Sequence, residues 1–252
     1  RLYTFIVFNV LECVVTTLKT IKVYKDEICN LSRIPLNMQD NPCYKTSMQI
    51  IKSLEINEEL PFKHTELYNH YQTYNPKTMF DLYGIVERLS EYPFSRMFLP
   101  WIYAEPLKNQ IDVAFISPQS NNNYSSDSFT QNQVKKLRTL IKSFKELGYS
   151  PNLFPDRKKG HVTGYFLKNK NRKRFYIVSG NHRASVFYAL FPNQALPVIY
   201  ENSKFAKARE LEGRNASDFL KTYDCDNVFN WPAVKSGFLK AEEALNIAEV
   251  YI

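Results

Sequence analysis

Residues 176–190 read YIVSGNHRASVFYAL. An apolar, strand-like run stops at Ser179, turns at Gly180, and passes through Asn181, His182 and Arg183 straight into a helical pattern. Glycine permits the unusual dihedrals of a tight turn. Asn181 is expected to cap the helix by accepting from amides two or three residues on. A helix start leaves free N–H donors and a partial positive charge, and an anion can bind there. Arg183 adds a planar fork suited to phosphate oxygens. His182 offers a hydrogen bond and a proton that moves near neutral pH, and Ser179 is a further donor. The residues support two readings: a capped strand-to-helix junction, or an anion site, above all for phosphate.

The neighbouring segments extend the pattern. LPVIYE (196–201) reads as the next strand. HVTGYFLK (161–168) and RFYIVS (174–179) read as a hairpin joined by a basic tip, KNKNRKR (168–174). FTQNQVKKLRTLIKSFKELGY (129–149) reads as an amphipathic helix with Val134, Leu137, Ile141, Phe144 and Leu147 as its stripe, Thr130 as candidate N-cap, and Gly148 as its end. A short extended piece is expected near Asn152, Leu153 and Phe154, and a strand at IDVAFIS (111–117). The order is β-α-β-β-α-β, an α/β (α+β) arrangement with a small mixed sheet.

Three regions follow from this: 1–110, mainly helical and packed on the core; 111–202, the α/β domain; and 203–252, a helical tail that Asn230-Trp231-Pro232 interrupts and docks on the body. Prolines and aromatics punctuate the first region, most densely in YPFSRMFLPWIYAEP (92–106). The polar cluster SPQSNNNYSSDS (117–128) reads as a surface loop.

A chain of 252 residues with 44% hydrophobic and 23% charged residues can bury a core and is not of a disordered type. The formal net charge of +8 suits a nucleotide, a nucleic acid or another anionic surface. Lys168, Lys170, Arg172, Lys173 and Arg174 concentrate part of it, either as a solvated hairpin tip or as a nucleic-acid contact. Cys13, Cys29, Cys43 and Cys225 form no CxxC and have no zinc-like spacing, so reduced thiols in a cytoplasmic protein are expected. The apolar segment 2–18 carries Asn9 and Glu12 and reads as a buried helix, with weak membrane association as the alternative. The chain opens at Arg1, and a preceding start is expected.

FYIVSGNHRASVFYAL followed by LPVIYE resembles the signature of the ParB/sulfiredoxin superfamily: a strand, Gly-x-His-Arg or Gly-x-Arg-Arg, a helix, and a strand opening with Pro-Val. SFKELGY (143–149) resembles the helix end that precedes it, and the likeness spans about residues 111–202. The resemblance implies nucleotide binding, ATP or CTP with Mg²⁺, with the phosphates held at the motif turn, where Gly180, His182 and Arg183 match by position. Asn181 stands where sulfiredoxins carry their cysteine, so thiolate chemistry is not expected. The ParB branch carries a Glu-Arg-Arg type motif instead of Asn181-His182-Arg183, and no helix-turn-helix pattern follows residue 202. A related group of the superfamily phosphorylates free serine, and the long first region is unlike all three branches. Extended chains of this kind resemble proteins of bacterial surface-polysaccharide gene clusters.

The expected function is that of a nucleotide- or phosphate-binding protein, an NTP-dependent phosphotransferase or NTPase. Ser179, Gly180, Asn181, His182 and Arg183 form the site, and His182 and Asp112 are the catalytic candidates. Glu146, Asp156 and His161 are further candidates for a base or metal ligand. The alternatives are a nucleic-acid-binding or nuclease-like protein, and a non-catalytic module in surface-polysaccharide biosynthesis.

Overall fold

The computed structural model describes residues 20–30, 37–73, 126–151, 160–199, 222–235, 237, 240–249 and 252. The segments expected at 2–18, 92–106, 111–117 and 152–154 lie outside these residues, as do Asp112 and Asp156.

The hairpin forms where alternation and a turn coincide. β3 (Val162–Asn169) and β4 (Arg172–Ser179) pair antiparallel, with Asn169 opposite Arg172 and a two-residue turn at Lys170 and Asn171. Lys170 takes a φ of 50° there. The register shifts between Thr163 and Gly164. At Gly164 a Cβ would stand 1.9 Å from the carbonyl oxygen of Tyr176, so only glycine lets the two backbones approach this closely.

The other strands are short. β1 (Thr20–Val23) pairs antiparallel with β5 (Leu196–Ile199), and β2 (Ile28–Asn30) pairs parallel with β4. The order is β1-β5-β3-β4-β2. β6 (Thr222–Asp224) joins the edge of β3 beyond β5, so the first half of β3 pairs with β5 and its second half with β6, both parallel. The fold is mixed α/β, with a mixed sheet and several helices. The region expected to be mainly helical, 1–110, contributes two strands to the sheet, and the tail contributes a third.

Opposite side chains of β3 and β4 build two cores. Val162, Phe166, Phe175 and Ile177, with Leu196 and Val198 of β5, face a layer of four helices. These are α1 (Pro42–Glu55), α2 (Glu66–Thr73), α3 (Asp127–Leu147) and α4 (Asn181–Leu190). On the other side, Tyr165 stacks on Tyr176 at 5.4 Å and meets Tyr223 edge-on at 5.0 Å. The C-terminal segment continues through a 3₁₀ turn (Cys225–Asn230), α5 (Pro232–Lys235) and α6 (Ala241–Glu249). Trp231 is fully buried, and its indole N–H donates to the Asp224 carbonyl at 3.0 Å, a bond within the C-terminal segment that closes over the 3₁₀ turn.

Two local expectations for α3 change. Its N-cap is Ser126, whose hydroxyl accepts from the Phe129 N–H at 3.3 Å, while Thr130 lies one turn inside and is buried. The stripe Val134, Leu137, Ile141 and Phe144 is buried as expected, but Leu147 is exposed. The helix ends at Gly148, which has a φ of +69°. Among the described residues, no helix is long and apolar enough to cross a membrane.

α4 is unlike the other helices. Ala184, Ser185, Val186, Phe187 and Tyr188 are all buried in succession, so it has no wet face along this stretch. It lies against the sheet between α1 and α3. Tyr188 reaches past its own helix to donate to the Val23 carbonyl at 2.7 Å, which ties α4 to β1.

Candidate functional site

β4 delivers the chain to Gly180, which adopts φ 101° and ψ 22°. A Cβ at Gly180 would stand 3.0 Å from both Cα and Cγ2 of Val162 and 3.2 Å from Nη2 of Arg183. Glycine is required here twice over: for the left-handed backbone, and because β3 lies below it and the Arg183 guanidinium folds back above it. The first bond of α4 runs from the Ala184 N–H to the Gly180 carbonyl at 2.9 Å.

Gly180, not Asn181, is therefore the N-cap, and as a glycine it offers no side-chain cap to the first turn. Asn181 is the first helical residue, one position too late to fold over its own amides. Its side chain crosses to α1 instead. Oδ1 accepts from Nδ2 of Asn41 at 2.9 Å, and Nδ2 contacts Sγ of Cys43 at 3.5 Å. Asn41 is itself the cap of α1, accepting from the Cys43 N–H at 2.9 Å. One buried amide pair thus fastens the starts of two helices together. Asn41 and Cys43 are residues that the motif turn alone does not reveal. The signal was present in Asn41-Pro42, since a cap residue followed by proline marks a helix start.

His182 is the second residue of α4. Its Nε2 is buried and has no hydrogen-bond partner among the described residues. Burial, with the nearby charges of Lys136 and Arg183, lowers its pKa to about 4, so the imidazole is neutral at pH 7. Arg183 is half-buried, and no carboxylate lies within ion-pair distance among the described residues. Burial lowers its pKa from the ordinary arginine value. Beside it, the Tyr149 hydroxyl accepts from the Val162 N–H at 3.3 Å and lies 3.4 Å from the Gly160 carbonyl, to which it donates. Desolvation raises this phenol to about 12, against the opposing pull of the Val162 N–H and the Arg183 charge. Ser179 closes β4 opposite Thr163, half-buried at the same turn.

The structure thus gathers Ser179, Gly180, His182 and Arg183 at one uncapped helix start, with the Asn181 side chain turned to α1. His161 is buried at the start of β3, between the two backbone groups held by Tyr149. Glu146 is exposed on the last turn of α3. No group of three His, Cys, Asp or Glu suited to a metal occurs among the described residues.

The basic tip is largely engaged within the molecule. Lys168 pairs with Asp224 at 2.6 Å, the Lys173 ammonium lies 3.9 Å from the centroid of the Phe166 ring, and Arg174 donates to Asn37 at 2.9 Å. Lys170 and Arg172 remain exposed at the turn. Cys29, Cys43 and Cys225 are free and buried, and desolvation raises Cys43 to about 12 and Cys225 to about 11. These thiols are protonated and inert at neutral pH.

Chemically, the turn offers what an anion needs. A helix start presents backbone amides, and among the described residues Arg183 has no carboxylate within ion-pair distance and His182 Nε2 has no hydrogen-bond partner. Comparisons with protein-family models, with curated proteins and with solved structures find no match.

Proposed function

We propose that the turn at residues 179–183 binds a phosphate group, that of a nucleotide such as ATP or CTP, in a ParB/sulfiredoxin-like core, and that the chain is an NTP-dependent phosphotransferase or NTPase. One observation carries the reading. Nε2 of His182, at the start of α4, is buried with no hydrogen-bond partner among the described residues, next to an arginine that has no carboxylate within ion-pair distance among them. A buried polar nitrogen left unpaired costs about 1–3 kcal/mol, and the half-buried guanidinium adds to that. A phosphate seated on the first-turn amides would satisfy both groups at once.

The division of labour follows from the chemistry of each group. Arg183 supplies fixed charge and a planar fork. The amides supply donors whose direction the helix holds. His182, neutral in the free protein, donates from Nε2, so a bound anion selects the tautomer protonated there. The anion's charge also raises the affinity of the imidazole for a second proton, which couples binding to proton uptake. Mg²⁺, where it accompanies the nucleotide, would be held mainly by the phosphate oxygens and water.

Thermal unfolding in the presence of ATP, CTP, GTP or pyrophosphate, on wild type and on Arg183→Ala, tests this. A hundredfold excess over Kd stabilises the native state by about 2.7 kcal/mol, roughly 5–10 °C in Tm for a chain of this size. The variant should keep its fold and lose the shift, since Arg183 forms no ion pair among the described residues. If no ligand moves the wild type, the turn is a structural junction. A grossly unfolded variant would make Arg183 structural. The nucleic-acid reading retains Lys170 and Arg172 as uncommitted cations, and any such binding should weaken steeply with salt.

A further inference from the structure

α3 buries one face in the core and turns the other to solvent. From Ser128 to Lys145 the helix has no aspartate or glutamate, yet it carries Lys135, Lys136, Arg138, Lys142 and Lys145, all exposed. At 3.6 residues per turn, Lys135, Arg138, Lys142 and Lys145 fall within an arc of roughly 80° and form one row along the helix, roughly 15 Å long. The acids at its two ends do not neutralise it. Asp127 pairs with Lys63 at 2.8 Å, and Glu146 forms no ion pair among the described residues. None of the four cations forms an ion pair among those residues either. The Arg138 guanidinium donates to the Leu60 carbonyl, which holds it in place and leaves its charge uncompensated.

Solvation of a helix face does not by itself account for this row. Such faces mix signs, because like charges three or four residues apart destabilise a helix. The negative end of a helix favours cations in its last turn, which explains Lys145 but not Lys135 or Arg138 in the middle. Charge complementarity identifies the partner. Each strand of a nucleic-acid duplex carries one phosphate about every 3.4 Å of axis, hence about four over the length of the row. Gln131, Asn132 and Thr139 are exposed on the same helix and can donate to phosphate oxygens. Single strands are held by stacking on aromatic rings, and α3 exposes none. A lipid surface is entered by an apolar face, and that of α3 is buried in the core apart from Leu147 at its end. We propose that the cationic row of α3 is a docking surface for the phosphate backbone of a duplex nucleic acid, bound without regard to base sequence. The row lies on a different element from the turn at residues 179–183 and from the basic hairpin tip, and its role does not rest on the phosphate reading of that turn.

Fluorescence anisotropy of the full chain with a short labelled DNA duplex of mixed sequence, over a range of salt concentrations, tests this. Four phosphate contacts give a slope of log Kobs against log salt of about −3.6. The triple variant Lys135→Gln, Lys142→Gln, Lys145→Gln should bring the slope to about −0.9 and weaken binding at low salt at least roughly tenfold. These lysines are exposed and form no ion pair among the described residues, so the urea midpoint should stay near that of wild type. The corresponding triple Lys→Arg variant should keep both affinity and slope. Should the glutamine triple fail to fold, Lys135→Gln and Lys142→Gln must each reduce the magnitude of the slope by about one. Unchanged binding in the glutamine variants, or equal loss in the arginine triple, overturns the proposal. So does loss of duplex binding in Lys170→Gln with Arg172→Gln, or in Arg183→Ala, while the α3 variants bind as wild type does, since the nucleic acid would then sit at the hairpin tip or the turn. Failure of wild type to bind the duplex at low salt overturns it as well. Tighter binding to phosphatidylserine-containing vesicles than to the duplex would make the partner a lipid surface and overturn it too.

Discussion

Replacing His182 by leucine should change how stability depends on pH, by an amount that follows from the burial of one nitrogen. The free imidazole titrates near 6.5, and in the folded chain burial and the nearby cations bring it to about 4. Above pH 6.5 both the folded and the unfolded chain carry a neutral imidazole, and the group is neutral in its effect on stability. As pH falls through 6.5 the unfolded chain takes up a proton that the native chain refuses. The unfolded state is favoured, and stability drops until the native group also protonates near pH 4. The difference of about 2.5 pH units corresponds to about 3 kcal/mol, with most of it lost by pH 4.5. Urea unfolding of wild type and His182→Leu at pH 7, 6, 5 and 4.5 reads this directly, because the carboxylates common to both chains cancel in the difference. The gap between variant and wild type should move by about 2.5 kcal/mol in the variant's favour between pH 7 and pH 4.5. Parallel curves would refute the reasoning, for they would mean that His182 is solvated or paired in the native state. A gap that moves the opposite way would mean that the native chain protonates the imidazole first. Saturating pyrophosphate should flatten the wild-type dependence, since a bound anion stabilises the protonated ring.

Two further outcomes follow from the geometry of the turn. Gly180→Ala forces a side chain into a left-handed backbone and against Val162, and should cost at least roughly 1–2 kcal/mol in urea unfolding from the backbone alone; by pushing on the Arg183 guanidinium it should also reduce the thermal stabilisation that phosphate ligands give. Asn41→Ala removes the cap of α1 and leaves the Asn181 amide without its partner, so a loss of about 2–4 kcal/mol is expected. A loss below about 1 kcal/mol there would show that the two helix starts are not held by this pair.

What sequence alone determined lies in segments whose signals are local. The hairpin of β3 and β4 was legible because alternation, a polar tip and Gly180 fall within twenty residues of one another. α3 was legible from an apolar stripe repeated over 21 residues, and its end from Gly148. The turn and α4 followed from a strand pattern meeting a helical one. Ser179, Gly180, His182 and Arg183 come together in space because they are already together in the chain. The ends were less legible. Thr130 and Ser126 are both acceptable caps by residue type, and only the backbone path decides which one reaches the first-turn amides.

Tertiary structure decided the rest. β1, β2 and β6 have three or four residues each, too few to show a period, and exist as strands because β5, β4 and β3 present unpaired edges to them. Asn181 suits a cap by composition, but its fate depends on Asn41, 140 residues away, which no local pattern relates to it. The five cations of KNKNRKR are alike in sequence, and three of them are engaged within the molecule: Lys168 by an ion pair with Asp224, Arg174 by a hydrogen bond to Asn37, and Lys173 by the Phe166 ring. The character of His182 is the clearest case. Residue type makes it a proton carrier near pH 7, whereas burial in the folded chain makes it a neutral imidazole whose Nε2 has no partner among the described residues. Periodicity and turn chemistry act between neighbours in the chain, while desolvation and pairing depend on which distant surfaces close over a group.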